Sequence, residues 1–590
     1  MRWRTVRNLF WRALFIAAWR ENRHAAAEPK FHTIIRGGLI VDGTASQPYR
    51  ADIGLAGGRI AAIGDLSAER GRDEFDATGL AVAPGFINCL SWATESLIAD
   101  PNSQSDLRQG VTLEVFGEGV SMGPLTHAMK RDLAARQSDY RFDVEWTTLG
   151  EYLEMLERRG VATNVASFVG ATTLRVHEVG YQNRAATPAE LARMCDRVRE
   201  AMLEGALGVG SALIYAPAAF AAHAELKALA LAAAEFGGGY FTHMRSEAGR
   251  LLESIAETID IARATGAHTE IYHFKAAGRE AWSKLDAAIA LIESARAAGV
   301  DISANMYPYT AAASGLDAVM PPWVQSGGHN AWISRLRDPA IRARVIEQMR
   351  EPDGDWENLL VAAGSPDNVL LLGFRNERLK PLVGRTLADV ARERNCSAEQ
   401  AAIDLVLEDD SRVTAAYFLM SEENVRRQLA LPWITLCSDE ESIAPHGVFL
   451  SHRPHPRAYG SFARFLGAYA RDQQLVPLAD AVHRLTGLPA RQLRLQQRGE
   501  LRPGHWADVV VFDPARISDH ATFAQPHRFA SGVEHVFVNG VQVLRSGQMT
   551  GARPGRVVRG PGWRAARDPG WRAARDQGLE PRQDLPRAAG

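Results

Sequence analysis

Hydrophobic residues follow two different patterns along this chain of 590 residues. Near both ends they form short apolar runs separated by Gly-Gly or Asn-Gly, which is typical of strands joined in hairpins. The turns are Gly37–Gly38 and Gly57–Gly58 in the first block and Asn539–Gly540 in the second. Because the pattern occurs only near the two ends, we expect residues 31–84 and 495–562 to form one small β-sandwich domain.

Between these blocks, apolar strands alternate with amphipathic helices. A strand predicted at residues 239–242 precedes a helix whose apolar residues recur every three or four positions from Leu251 to Ala262. Strands at 270–274 and 300–306 continue the alternation. A βα alternation over about 400 residues indicates a parallel sheet, and its length favours an α/β fold, a TIM (β/α)8 barrel over residues 85–494. A doubly wound sheet is the alternative, but no G-x-G-x-x-G follows an early strand to favour dinucleotide binding.

Composition and charge exclude several classes of protein. The 46% hydrophobic and 23% charged residues are ordinary values, which excludes bulk disorder. No apolar run reaches the ~18 residues of a membrane span, so we expect no membrane partner. Residues 1–30 hold seven basic against two acidic residues, and residues 553–590 hold nine against four. The net charge of −2 therefore leaves −12 for residues 31–552, which disfavours nucleic acid as a partner.

The two ends of the chain and the cysteines bear on location. Residues 1–30 carry a short apolar stretch after several arginines and resemble a secretory signal weakly; a start that is not native is the alternative. A tandem Pro-Gly-Trp-Arg-Ala-Ala-Arg-Asp repeat, residues 561–576, predicts a disordered tail over 563–590. The four cysteines show no C-x-x-C spacing and fit a reducing compartment. We therefore expect a cytoplasmic protein, with export as the alternative.

Four side chains with catalytic chemistry follow the ends of predicted strands: Glu118, His243, His273 and Asp439. Active sites of TIM barrels lie at the carboxyl ends of the strands, so these side chains are expected to converge. Two imidazoles and a carboxylate are a typical catalytic zinc set, and a further carboxylate suits a general base. Each of the 17 histidines taken alone is more often an ordinary core or surface residue. Four such placements together support the metal hypothesis.

Six stretches carry a specific resemblance to a known family: Gly205–Tyr215, Thr242–Glu247, Tyr307–Thr310, Ser438–Asp439, His455–Gly460 and Thr550–Arg556. They are similar to the N-acyl-D-amino-acid deacylases, or D-aminoacylases, of the amidohydrolase superfamily, from about His32 to Gly562. The resemblance implies a TIM barrel with a small β-domain. It also implies zinc-dependent hydrolysis of a small N-acyl-D-amino acid to a D-amino acid and a carboxylate.

The resemblance implies roles for individual residues. By this resemblance, His243 and His273 would hold the catalytic zinc, and Asp439 would act as general base and acid. The substrate-binding residues that it implies are Lys275, Tyr307, Ser314 and Arg457. Of these, Tyr307 would polarise the carbonyl group, and the other three would bind the substrate carboxylate.

The sequence departs from the family at two metal positions. The first metal motif of the superfamily, H-x-H, is replaced by Leu90 and Trp92, which cannot bind metal. The cysteine ligand of the family is also missing, and Glu118 occupies that loop. Because a carboxylate is a competent zinc ligand, we expect one zinc ion held by Glu118 and the two histidines.

Two other functions remain open from the sequence alone. One is a related amidohydrolase activity on a cyclic ureide or a dipeptide, because a shared fold does not fix the substrate. The other is a binding protein that keeps the pocket without the chemistry. The preferred side chain and the oligomeric state are left open.

Overall fold

The computed structural model describes residues 30–137, 139–351 and 355–563. Apart from residues 30 and 563, the predicted N-terminal extension and C-terminal tail lie outside these ranges. The strands are β1 (Phe31–Ile40), β2 (Tyr49–Ala56), β3 (Arg59–Gly64), β4 (Gly71–Asp76), β5 (Ala81–Pro84), β6 (Phe86–Asn88), β7 (Val111–Phe116), β8 (Asn164–Ser167), β9 (Val169–Gly170), β10 (Gly208–Ala212), β11 (Gly239–His243), β12 (Thr269–Ile271), β13 (Ile302–Met306), β14 (Ala311–Gly315), β15 (Val369–Gly373), β16 (Thr414–Phe418), β17 (Ile434–Leu436), β18 (Val509–Phe512), β19 (Val533–Val538), β20 (Val541–Arg545) and β21 (Gln548–Met549).

The α-helices lie between these strands along the chain. They are α1 (Ser96–Ala99), α2 (Gln104–Leu107), α3 (His127–Arg136), α4 (Leu149–Arg159), α5 (Ala171–Glu178), α6 (Pro188–Glu204), α7 (His223–Ala234), α8 (Leu251–Thr265), α9 (Arg279–Trp282), α10 (Leu285–Ala297), α11 (His329–Arg337), α12 (Pro339–Gln348), α13 (Leu359–Ala363), α14 (Leu387–Glu393), α15 (Ala398–Asp409), α16 (Glu422–Leu429), α17 (Arg457–Arg464), α18 (Leu478–Leu485) and α19 (Gly487–Gln492). Within the described ranges, no helix is both long and apolar enough to cross a bilayer.

One nine-stranded sheet contains strands from both ends of the chain. Its order is β21-β20-β19-β18-β5-β1-β2-β3, with β4 pairing to β1. The two blocks meet where β18 runs antiparallel to β5, with Val510 opposite Ala83. Every residue of β18 is buried, which agrees with its continuous apolar sequence.

Two of the three predicted hairpin turns are confirmed. Gly57–Gly58 joins β2 to β3, and Asn539–Gly540 joins β19 to β20. The prediction for Gly37–Gly38 is wrong, because both glycines lie inside the single strand β1. The pairing of β1 with β2 shifts register there, and Gly37 takes a φ of 63°. Gly37 therefore allows a β-bulge, which a Gly-Gly pair permits as readily as a turn.

The central region is built from parallel strands. One sheet has the order β6-β7-β8, and another has the order β17-β13-β12-β11-β10-β9. The strands β8 and β9 follow each other directly, with Phe168 between them. At the other side, a parallel bridge joins Ser91, just after β6, to Glu440, just after β17. The strands β14, β16 and β15 form a separate antiparallel sheet inserted between β13 and β17.

The strands that position the site lie where the hydrophobic pattern predicts them. The largest difference concerns the predicted strand at 270–274, because β12 ends at Ile271. His273 has a φ of 34°, which is not an extended conformation, so the strand has already ended when the chain reaches this histidine. The alternation of strands and helices is thus predicted from the sequence, while the end of β12 is not.

Candidate active site

Three strand ends bring together Glu118, His243 and His273. Glu118 follows β7, His243 ends β11 and His273 follows β12. One carboxylate oxygen, Glu118 Oε1, lies 3.0 Å from His243 Nδ1 and 2.9 Å from His273 Nε2. The two imidazole rings are 4.5 Å apart and nearly perpendicular. All three side chains are buried, so the predicted ligand set converges in the interior.

The glycines on both sides of Glu118 explain its position. Gly117 has a φ of 109°, and a Cβ there would lie 2.4 Å from the Phe168 carbonyl oxygen. Gly119 has a φ of 68°, and a Cβ there would lie 2.7 Å from the Ala212 side chain. A residue with a side chain would therefore be strained and crowded at either position. The Gly-Glu-Gly sequence lets the loop pass close to the next strands and aim the carboxylate inward.

The donor atoms of this cluster fit a zinc ion. Two imidazole nitrogens and one carboxylate oxygen lie within 4.8 Å of one another, which is a typical donor set for catalytic zinc. Within the described residues, the buried His243 Nε2 has no hydrogen-bond partner. The second nitrogen of His273, Nδ1, lies 3.0 Å from Glu247 Oε1. A carboxylate on the far side of a ligating histidine fixes the ring orientation and is typical of metal sites.

The opposite charges in this cluster shift the pKa values of its members so that each stabilises the charged form of the other. Burial and the Lys275 ammonium both lower the pKa of His273, but the Glu247 and Glu118 carboxylates raise it to about 9. Burial alone would raise the pKa of Glu118, but the charge of His273 and the hydrogen bonds from both imidazoles hold it well below its ordinary value. Metal ligands bind in their deprotonated forms, so a cation bound by this cluster would displace protons from it.

Glu247 is a central residue that the sequence reasoning missed. Its Oε1 accepts a hydrogen bond from Lys275 Nζ at 2.6 Å and also faces His273. Lys275 Nζ itself lies 2.7 Å from His273 Nδ1. Glu247 ends the Thr242–Glu247 stretch that carries the family resemblance, so a signal was present, but no role was assigned to it. The structure places Lys275 beside the candidate metal ligand His273, with its ammonium already paired to Glu247.

Asp439 and Arg457 form a second buried pair beside this cluster. Asp439 follows β17, has a φ of 51°, and its Oδ2 lies 2.7 Å from Arg457 Nη1. Its other oxygen, Oδ1, accepts a hydrogen bond from the Trp92 indole Nε1 at 3.1 Å. Arg457, at the start of α17, is 3% exposed. The predicted base and one predicted anion-binding residue therefore lie in direct contact.

Tyr307 lies between the two predicted anion-binding cations. The Arg457 guanidinium lies 4.4 Å from the centre of the Tyr307 ring, and Lys275 Nζ lies 5.8 Å from it. Burial raises the pKa of the Tyr307 hydroxyl well above its usual value, so the group stays protonated. Within the described residues, this buried hydroxyl has no hydrogen-bond partner. It is therefore a donor available to a bound molecule.

Ser314 reaches the site through a second tyrosine. Its hydroxyl, on β14, lies 2.8 Å from the Tyr215 hydroxyl. The Tyr215 ring packs edge to face against His243, with ring centres 5.5 Å apart. Tyr215 ends the Gly205–Tyr215 stretch of the resemblance but was given no role from the sequence. Ser314 is thus linked through Tyr215 to His243, one of the three candidate metal ligands.

Glu441→Gln should stabilise the protein mainly at alkaline pH. Burial raises the pKa of Glu441 to about 8, although the Tyr140 hydroxyl donates a hydrogen bond to it at 2.5 Å. The folded protein keeps a proton that the unfolded chain releases near pH 4.5, so this group makes stability fall as pH rises from 4.5 to about 8. Glutamine is neutral throughout. The gain in the free energy of unfolding, measured with denaturant, should therefore be larger at about pH 9 than at about pH 6; an equal gain would contradict the prediction.

Comparisons with known proteins give a consistent result. The model for the amidohydrolase family matches residues 142–544. A D-aminoacylase from Alcaligenes xylosoxydans xylosoxydans is 35% identical over 514 residues, covering 86% of this chain and 93% of that protein.

Solved structures show the same similarity in three dimensions. An N-acyl-D-glutamate deacylase from Bordetella bronchiseptica, complexed with zinc and a phosphonate that mimics the tetrahedral intermediate, is 32% identical with a TM-score of 0.74. A D-aminoacylase, described as having a binuclear metal centre with one-metal activation and second-metal attenuation, is 33% identical with a TM-score of 0.75. Each comparison covers 90% of this chain and all of the solved chain.

Proposed function

This chain belongs to the amidohydrolase family, among the D-aminoacylases and N-acyl-D-amino-acid deacylases, and on that premise we propose that it hydrolyses an N-acyl-D-amino acid to a D-amino acid and a carboxylate. The resemblance found in the sequence motifs is confirmed by these relatives. The observation that carries the proposal is the buried convergence of Glu118, His243 and His273 beside the Asp439–Arg457 pair.

The parallel strands support a closed (β/α)8 barrel as the scaffold of this function. Eight strand positions follow in order: β6, β7, the β8–β9 segment, β10, β11, β12, β13 and β17. The bridge between Ser91 and Glu440 links the last of them to the first. The catalytic side chains follow the carboxyl ends of these strands, where TIM barrels carry their active sites. The nine-stranded sheet would then be the accompanying β-domain.

One zinc ion is the cofactor that this donor set supports. Glu118, His243 and His273 would hold it, since Leu90 and Trp92 offer no ligand atoms for a first-motif site. When bound, zinc polarises the amide carbonyl and lowers the pKa of a bound water to about 7. The burial of all three ligands keeps this chemistry in a region with little competing solvent.

We assign both proton transfers of the reaction to Asp439. Its carboxylate would accept a proton from the attacking water as the new C–O bond forms. The same proton would pass to the amide nitrogen as the C–N bond breaks, so that a neutral amine leaves. The protonated hydroxyl of Tyr307 would donate a hydrogen bond to the carbonyl oxygen, where negative charge develops.

The α-carboxylate of the substrate would lie near Lys275 and Arg457. An ammonium has three donors and a guanidinium has five, so neither is exhausted by its carboxylate partner. Arg457 can bind a carboxylate with two parallel hydrogen bonds. Ser314 would add a hydroxyl from the side of Tyr215. Two buried cations on one tyrosine ring make this region suited to an anion.

Zinc titration of metal-free protein tests the function and the metal count together. We expect hydrolysis of N-acetyl-D-amino acids to rise with zinc and to level off at one ion per chain, because the part of the chain that the structure describes offers one such ligand set. Further zinc should not reduce the rate, in contrast to the D-aminoacylase described as attenuated by a second metal. The measurements are released amine and zinc per chain, with the L-enantiomers as the control for stereochemistry.

The outcomes separate the proposed function from its alternatives. Tight binding of a second zinc ion, or inhibition by it, would show that the prediction of one zinc ion per chain is wrong. Hydrolysis of a hydantoin or a dipeptide, without release of amine from any N-acyl-amino acid, would replace the deacylase by another amidohydrolase. Binding of zinc and N-acyl-amino acid with no turnover of any of these compounds would indicate a binding protein.

A further inference from the structure

Trp92 occupies one of the two positions at which the resemblance expects metal-binding histidines. Its indole N–H donates to Asp439 Oδ1 at 3.1 Å, across 347 positions of sequence. Leu90, at the other position, is 1% exposed and packs in the hydrophobic core. The two replacements therefore differ in kind: Leu90 fills the interior, whereas Trp92 contacts the proposed general base.

Backbone hydrogen bonds hold the two chain segments in register. The Asp439 N–H donates to the Leu90 carbonyl at 2.9 Å, and the Trp92 N–H donates to the Glu440 carbonyl at 2.9 Å. Asn88 adds a side-chain link, because its Oδ1 accepts from the Ser438 N–H at 2.9 Å. The indole and the carboxylate therefore meet on a paired backbone and not on an independent loop.

The Asp439 carboxylate has a hydrogen bond on one oxygen and an ion pair on the other. The Trp92 indole N–H donates a hydrogen bond to Oδ1, and Arg457 Nη1 lies 2.7 Å from Oδ2. The hydrogen bond on one oxygen and the ion pair on the other restrict the rotation of the carboxylate, and its remaining lone pairs are free to accept a proton. Asp439 also has a φ of 51°, a conformation that costs energy for a residue with a side chain and is common at functional sites.

We propose that Trp92 is a positioning residue whose indole N–H orients Asp439 for proton transfer. This inference rests on the deacylase function proposed above. Proton transfer depends on the distance and angle between the base and the reacting atoms. Loss of the indole donor should therefore slow the chemical step, while substrate binding through Lys275 and Arg457 stays nearly unchanged.

The variant Trp92→Phe keeps an aromatic ring and removes the indole N–H. We expect kcat to fall about 10- to 100-fold, the range for loss of a hydrogen bond to a charged group. KM should stay within about threefold and zinc content should not change. The matched control is Trp282→Phe, because Trp282 is also partly buried and its indole donates to the Leu419 carbonyl at 2.7 Å. Its kcat should stay within about twofold of the wild-type value.

A second readout does not require turnover. In protein labelled with ¹⁵N-tryptophan, the indole signal that is absent from Trp92→Phe identifies Trp92. We expect this signal to shift in Asp439→Ala, because its acceptor is gone, while the signal of Trp282 stays in place.

Three results would overturn the role of Trp92: an unchanged kcat in Trp92→Phe, an equal loss in Trp282→Phe, or an indole signal that does not respond to Asp439→Ala. A loss of zinc in Trp92→Phe would also overturn it, because the effect would then act on the metal site. If the wild-type protein hydrolyses no N-acyl-D-amino acid but the indole signal shifts as expected, the deacylase function is wrong and the contact that positions Asp439 is supported.

Discussion

Asp439→Asn should lower kcat for the deacylation by about 10²- to 10⁴-fold, the usual contribution of general acid–base catalysis. Asparagine keeps the size of the side chain and an oxygen for the Trp92 indole, but it cannot take up the proton of the attacking water. The zinc content should remain at one ion per chain, because Asp439 is not in the cluster of Glu118, His243 and His273. The measurements are kcat, KM and zinc per chain.

The matched control is Asp508→Asn, at the residue that directly precedes β18 of the nine-stranded sheet. Asp508 is 8% exposed, as is Asp439, and it also forms a buried ion pair with an arginine, Arg498. This variant loses a similar ion pair that involves none of the candidate site residues, so it should lower stability and leave kcat within about twofold. A kcat for Asp439→Asn within about tenfold of the wild type would remove Asp439 from the role of base.

The local sequence predicts the fold correctly where a pattern of residues is compatible with only one local structure. Asn539–Gly540 strongly favours a two-residue hairpin, and that hairpin is present. Gly37–Gly38 allows either a turn or a bulge, and the pairing of β1 with β2, β4 and β5 decides for the bulge. That pairing depends on contacts between distant segments, which a local pattern does not contain.

The candidate site shows the same division. The rule that active sites follow strand ends placed Glu118, His243, His273 and Asp439 from the sequence, and the structure brings the first three together in one cluster. The roles of their partners could not be predicted in this way. The contact of Trp92 with Asp439 joins residues 347 positions apart, and Tyr215 reaches Ser314 across 99 positions. Nothing in the local sequence links such distant pairs.

Glu118→Ala should remove most of the zinc affinity. Glu118 is the only carboxylate in the cluster of three candidate ligands, so the variant leaves two imidazoles and no anionic ligand. Loss of an outer-shell partner alone costs about 10- to 100-fold in metal affinity, so loss of a direct ligand should cost more than about 100-fold. The zinc dissociation constant, measured by competition with a chelator, and the activity at limiting zinc should change together.

Glu118→Cys distinguishes the loss of a ligand atom from the loss of side-chain volume. A thiolate is anionic and a good zinc ligand, so this variant should bind zinc much more tightly than Glu118→Ala, although its shorter side chain must still reach the two imidazoles. Glu118→Gln keeps the shape but loses the charge and should resemble the alanine variant. Glu114→Gln is the matched control, because Glu114 is a fully buried carboxyl on the preceding strand β7 that is bound to Ser91. If Glu118→Ala held zinc as tightly as the control, the carboxylate would be a partner of the histidines and not a ligand.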